Sequence, residues 1–210
     1  MSMEEMSYQH MCAFVQCNFI IQAFGEPELM FDIGSGVYSH EVWYLKEGWP
    51  NCKIVGFEPS KARYDQLKDR YPGELINSAV ANHKGKIALY EDDNDGCLNL
   101  EKRNNTTKIE VQCDTLDNIS LNYGNLNNVF IWADIEGSEI YLLEGAKRML
   151  SNGIISGLNL ELQFKSNFGW EFDDSAIEII NFLESYGYEY GGPLVKFLTG
   201  HADVVFGKIK

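Results

Sequence analysis

Two glycines and five acids carry the chemistry this chain can be read for. The segment Met30-Phe31-Asp32-Ile33-Gly34-Ser35-Gly36-Val37-Tyr38-Ser39 passes from apolar residues into two glycines one residue apart, then into a helix-compatible stretch. That is a strand entering a tight turn and then a helix. Glycine admits dihedrals closed to other residues and lets a ligand approach without a Cβ in the way, while the first helical turn offers unpaired N–H groups to an anion. Such a corner suits a nucleotide-like ligand, although a plain strand-to-helix turn also uses glycine. Glu58 ends a second apolar run, Lys53 to Pro59, at about the 20-residue offset where an acid receives ribose hydroxyls in dinucleotide folds.

Asp134 and Glu136 follow the apolar run Asn128 to Ala133, and Glu161 lies near the end of Ile155 to Leu162. Acids at the ends of buried strands are costly to desolvate unless they meet a ligand, a metal or donor groups. A carboxylate so placed can take a proton from a hydroxyl, with Asp134 the first candidate and Glu136 beside it. Asp134, Glu136 and Glu161 together offer hard oxygen ligands of the kind Mg²⁺ prefers. Capping of the next helix is the plainer role for Asp134 and Glu136, and cofactor or substrate hydroxyls compete with the metal for all three.

The elements that must position these groups alternate. A helix over residues 7 to 24 has Met11, Phe14, Val15, Phe19 and Ile20 as its apolar stripe. Strands are expected at Glu28–Ile33, Lys53–Pro59, Glu74–Val80, Asn128–Ala133 and Ile155–Leu162. Helices are expected over Val37–Glu47, from a Ser60 cap to Arg70, to Leu150 after Glu139, and from Asp173 or Asp174 to Tyr186. Two late strands lie near Tyr188–Tyr190 and Ala202–Ile209. This alternation predicts a parallel sheet with right-handed crossovers and ligand beyond its C-terminal strand ends. Asp32, Glu58, Asp134, Glu136 and Glu161 should then share one rim. Residues 84–113 break the pattern and predict a small antiparallel excursion. The whole of 1–210 reads as one domain, with 1–27 as an N-terminal helical extension. The segment Phe164 to Phe172 is a candidate acceptor-side lid, and His83 and His201 read as surface or packing residues.

Composition narrows the partners. The 210 residues are 45% hydrophobic and 23% charged, an ordinary globular balance, with a formal net charge of -14. That charge repels a phosphate backbone, so extended nucleic-acid binding and attraction to an anionic membrane are not expected. Five cysteines without a C-x-x-C pair point to a reducing, cytoplasmic setting. The apolar run Cys12 to Phe24 follows two acids rather than a basic leader and is too short to span a bilayer.

Phe31-Asp32-Ile33-Gly34-Ser35-Gly36, Gly56-Phe57-Glu58-Pro59, Cys113-Asp114-Thr115-Leu116-Asp117 and Asp134-Ile135-Glu136-Gly137-Ser138-Glu139-Ile140 through Ala146, in that order, resemble the FkbM family of S-adenosylmethionine-dependent methyltransferases. The resemblance runs over roughly residues 29 to 163. It implies a class I methyltransferase fold: an α/β Rossmann-like sheet of seven mostly parallel strands, the last antiparallel, with helices on both faces. It also implies O-methylation of a hydroxyl on a small molecule or sugar. On these positions Gly34, Ser35, Gly36 and Ser39 would hold the methionine end of the cofactor, Asp32 its amino group and Glu58 its ribose. Asn77, Ser78 and Ala79 would border the adenine, and Asp134 would meet both cofactor and acceptor. The family's opening is nearer D-x-G-A-N-x-G, and here Tyr38 replaces the later glycine. The glycine turn with Glu58 also fits an NAD(P)-dependent oxidoreductase, and the altered turn fits a cofactor-binding module without turnover.

Overall fold

A computed structural model describes residues 8–37, 40–91, 96–98, 107–165, 171–196 and 200–208. Helix α1 (Tyr8–Phe24) leads into β1 (Leu29–Ile33), α2 (His40–Gly48), β2 (Lys53–Phe57), α3 (Lys61–Leu67) and β3 (Glu74–Ile76). Four strands follow: β4 (Ala79–Val80), β5 (Gly85–Glu91), β6 (Gly96–Leu98) and β7 (Thr107–Asp114). The rest of the chain is α4 (Leu116–Ile119), β8 (Val129–Ala133), α5 (Glu139–Glu144), α6 (Lys147–Ser151), β9 (Ile155–Gln163), α7 (Asp174–Ser185), β10 (Tyr188–Lys196) and β11 (His201–Lys208).

The main sheet has seven strands in the order β10-β11-β9-β8-β1-β2-β3. Strands β3, β2, β1, β8 and β9 run parallel, and β11 inserts antiparallel between β9 and β10. This is the class I methyltransferase arrangement. Strands β1 and β8 are buried at every position because helices cover both faces, so β8 reads as a continuous apolar run and β1 as one broken only by Asp32. One face packs Phe31, Ile131, Leu158 and Phe206 against α5, α6 and α7. The other packs Met30, Ile54, Trp132 and Val205 against α1 and α2. A second sheet, β4-β7-β5-β6, stands beside the β3 edge, its β5 antiparallel to both β6 and β7.

Three local expectations change. Glu74–Val80 is two strands: β3 joins the main sheet, and after a bend at Asn77–Ser78 β4 pairs with β7 in the second. The helix after Ser138 breaks into α5 and α6 at Gly145–Ala146, where a Cβ on Gly145 would overlap the Ala81 carbonyl. The buried side of α1 is Ala13, Gln16, Cys17 and Ile20, whereas Phe14, Val15 and Phe19 are exposed. The buried set follows i, i+3, i+4, i+7 spacing. Its polar member is not a misfit, because Gln16 Nε2 donates to Asn159 Oδ1 at 2.7 Å. Among the described residues no helix is long and apolar enough to cross a membrane.

Candidate active site

The glycine turn is built by its neighbours. Gly34 and Gly36 take φ of 86° and 59°, in the region that favours glycine. The Gly34 and Ser35 N–H groups both donate to the Phe57 carbonyl, at 3.0 and 3.1 Å, which ties the turn to the end of β2. A Cβ on Gly34 would overlap the Asp134 carbonyl oxygen, so glycine lets the β1 and β8 loops touch. Glu58 closes the arrangement: Gly36 N–H donates to its Oε2 at 2.9 Å and Ser60 N–H to its Oε1 at 2.7 Å. Burial pushes the Glu58 carboxyl up to about 7, against the pull of the Ser60 and Gly36 amides and of Arg63.

Asp32 and Ser35 stand behind this turn. Asp32 is buried and accepts the Tyr71 hydroxyl at 2.8 Å, and the Ser35 hydroxyl lies 3.4 Å from its carbonyl. Burial raises the Asp32 carboxyl to about 6, with Ser35 and Tyr71 holding it down. Asn77 is similarly committed, donating to the Glu58 and Pro59 carbonyls at 2.8 and 3.1 Å. Ser39 lies outside the described residues.

Between the two sheets runs a cleft. Gly34, Gly36 and Glu58 form one wall, Ser78, Ala79 and Val80 another, and Asp134, Ile135 and Glu136 close the end over β8. Leu89 of β5 and Arg63 of α3 complete it. Neither stands out in the sequence: Leu89 reaches the cleft only because the second sheet folds back beside β3, and Arg63 reads as a solvated charge. The cleft thus offers a glycine turn without Cβ atoms in a ligand's path, a carboxylate for hydroxyls, an apolar wall for a flat ring and acids at its far end.

Those acids form a row. Ala133 pairs with Leu160, so Asp134 falls beside Glu161, and Glu161 stands directly opposite Asp203 on β11. Carboxylate oxygens of Asp134, Glu136 and Glu161 lie within 4.8 Å of one another. Glu161 is 7% exposed and its Oε2 has no hydrogen-bond partner, while Oε1 lies 3.3 Å from His201 Nε2. Burial, then Asp134, Glu136 and Asp203, raises the Glu161 carboxyl. Asp134 keeps a path to water, yet lost hydration and the charges of Asp203, Glu136 and Glu139 raise it as well. Asp203 is pushed to about 7 by burial and Glu41, and is held by Asn159 and Gln16.

His201 therefore belongs to the rim rather than to a packing surface. An antiparallel last strand starts at the edge where its parallel neighbours end, which brings both His201 and Asp203 to the acids. The reversed direction of the last strand is the one sequence signal that points there. His83 stays apart, beside Asn82, the Lys86 carbonyl and Cys113. Of the Phe164–Phe172 segment, residues 166–170 lie outside the described residues; its two end rings stack at 4.7 Å.

Solved structures share this fold at low identity. The plantazolicin methyltransferase BpumL in complex with SAH superposes with a TM-score of 0.51 at 10% identity, over 99% of this chain and 86% of that one. Fibrillarin from Aeropyrum pernix with natively bound S-adenosyl-L-methionine gives 0.54 at 12% identity, over 93% and 73%. Precorrin-6y C5,15-methyltransferase from Geobacter metallireducens gives 0.50 at 14%, over 99% and 92%. No curated protein sequence matches. The methyltransferase FkbM domain matches residues 32–190, most of the chain and every acid placed above except Asp203. The chain belongs to the FkbM methyltransferase family.

Proposed function

We propose that the chain binds S-adenosylmethionine in the cleft between its two sheets and methylates a hydroxyl of a small molecule or sugar. The observation that carries this is the meeting, in one cleft, of the Gly34–Gly36 turn, Glu58 and the Asp134 end. When bound, the cofactor supplies a sulfonium methyl: its C–S bond breaks as a C–O bond forms to the acceptor. The glycine turn, which sets no Cβ in the ligand's way, and the start of the following helix favour the methionine carboxylate. Glu58 keeps acceptor capacity for the ribose hydroxyls beyond its two amide bonds. Ser78, Ala79, Val80 and Leu89 border the adenine, while Asp32, Ser35 and Asn77 support the turn from behind. Asp134, with its raised pKa, receives the acceptor's proton, and Glu136 sits beside it. The second sheet, through Ala79, Val80 and Leu89, then serves one methyltransferase domain as its adenine-side wall.

Asp134, Glu136 and Glu161 fit a divalent cation such as Mg²⁺: three hard donors lie close together, and one buried oxygen has no partner. Such an ion would supply Lewis acidity to the acceptor hydroxyl. Buried free thiols at Cys17, Cys52 and Cys113 support a cytoplasmic setting.

The test is calorimetry with S-adenosylhomocysteine, followed by a screen of hydroxylated acceptors with S-adenosylmethionine, with and without Mg²⁺, read by mass spectrometry. Binding and a mass gain of one methyl on oxygen are expected. Binding of NAD(P) without S-adenosylhomocysteine would overturn the cofactor assignment, and methyl transfer to nitrogen or carbon alone would overturn the hydroxyl.

A further inference from the structure

Glu136 is the one non-glycine with positive φ among the described residues, at 57°. An L residue resists this left-handed conformation, so surrounding structure must hold it there. The amides on either side of Glu136 show what does. Ile135 N–H and Gly137 N–H both donate to Oε1 of Glu139, each at 3.4 Å. Backbone N–H groups flanking a left-handed residue make a concavity that attracts an anion. Here a side chain fills it.

Glu139 begins α5 and is 1% exposed. An acid in a first helical turn interacts with the helix dipole from an exposed position just as well, so the dipole does not explain burying this one. Nor does the local charge, because Glu136, Asp134 and Glu161 all oppose it. The two converging amides account for its place.

We propose that Glu139 is a positioning residue: its buried carboxylate holds the Ile135–Gly137 turn left-handed and so aims Glu136 at Asp134 and Glu161. The inference rests on the reading of those three acids as the working end of the cleft. It adds a residue that touches neither cofactor nor acceptor.

The test is a cycle of Glu139→Leu, Glu139→Gln and Glu136→Gly, with the double variant Glu136→Gly/Glu139→Leu. Glutamine keeps an oxygen that can accept both amides, and glycine at 136 takes positive φ without strain. Turnover, on an acceptor found by the screen above, is expected to fall about 100-fold in Glu139→Leu, as for a misplaced catalytic group. Glu139→Gln should recover most of it, and the KM for S-adenosylmethionine should move little in either. In the Glu136→Gly background, Glu139→Leu should lower turnover no further and should lower the thermal midpoint by less than it does beside Glu136, because the amides still lose their acceptor but the strain is gone. Equal losses in both backgrounds, or a folded Glu139→Gln as inactive as Glu139→Leu, would overturn the proposal. If Glu139→Leu fails to fold, the double variant decides: recovery of folding supports the strain, and continued failure refutes it. The thermal arm needs no cofactor, so a wild-type chain that binds no S-adenosylhomocysteine defeats the methyl-transfer reading and leaves the role of Glu139 to the unfolding cycle.

Discussion

Glu161 on β9 and Asp203 on β11 are direct cross-strand partners, acid opposite acid, on the sheet face covered by α1. Like charges so placed destabilise a sheet unless a proton or a cation comes between them. With Asp134 next in the row, a stretch of rim that would be cheaper as apolar residues is instead acidic. Cost of this kind gathers where a site has work to do.

The same burial sets the pH dependence of stability. The Asp32 carboxyl is raised to about 6, and those of Glu58, Glu139 and Asp203 to about 7. In the unfolded chain these groups titrate near pH 4, so between about pH 4 and 7 the folded chain holds protons that the unfolded chain has lost. Their contribution to stability is complete below that window and is lost as pH rises through it. The urea midpoint of the ligand-free chain, followed by circular dichroism, is expected to be higher at pH 5.5 than at pH 7.5. A midpoint that climbs toward pH 7.5 would show that these acids are paired rather than strained.

Glu58→Ala is expected to weaken S-adenosylhomocysteine binding by about 1–3 kcal/mol, through lost hydrogen bonds to charge. The same change frees the Gly36 and Ser60 amides, so the turn loses its tie to α3 as well. Glu58→Gln separates the two effects: it keeps an acceptor oxygen and should fall between wild type and Glu58→Ala. Calorimetry at pH 8, where the wild-type carboxylate is ionised, makes the comparison. Unchanged affinity in the alanine variant would remove Glu58 from the site.

Much of this is legible in the amino-acid sequence. The strand cores at Phe31 and Ile131 and the acids at strand ends follow from apolar runs that stop at a charge, because burial on both faces leaves no other pattern. What was not legible depends on partners distant in the chain. Gln16 looks polar until Asn159 meets it, so the sequence favours Phe14, Val15 and Phe19 for the buried side of α1, where Ile20 lies and those three do not. His201 and Asp203 reach the rim only through the reversed direction of β11, and Leu89 only through the second sheet. Glu136 carries no local signal of its backbone strain; that comes from Glu139 three residues on.

The two glycines of the turn should not be equivalent. A Cβ on Gly34 would overlap the Asp134 carbonyl and crowd Ile135, whereas on Gly36 its nearest neighbour is the Gly34 carbonyl at 4.0 Å. Both positions carry positive φ, so alanine at either costs roughly 1–2 kcal/mol in backbone strain. Only at residue 34 is the clash added. Gly34→Ala is therefore expected to lower the unfolding free energy well beyond Gly36→Ala and to abolish cofactor binding. Equal destabilisation would mean that the β1 and β8 loops do not meet as described.

Asp134 separates binding from chemistry. Its carboxyl reaches water and belongs to the row with Glu161 and Asp203, so removing its charge relieves repulsion as much as it removes a ligand group. Asp134→Asn keeps the shape and should leave the chain at least as stable as wild type. Stopped as a proton acceptor, the variant should lose about 100-fold or more in turnover, within the range for a general base. Its affinity for S-adenosylhomocysteine should stay within a few-fold, because turn and ribose contacts lie elsewhere. If turnover survives while affinity collapses, Asp134 holds the cofactor and the proton must go to another acid, with Glu136 the next to substitute.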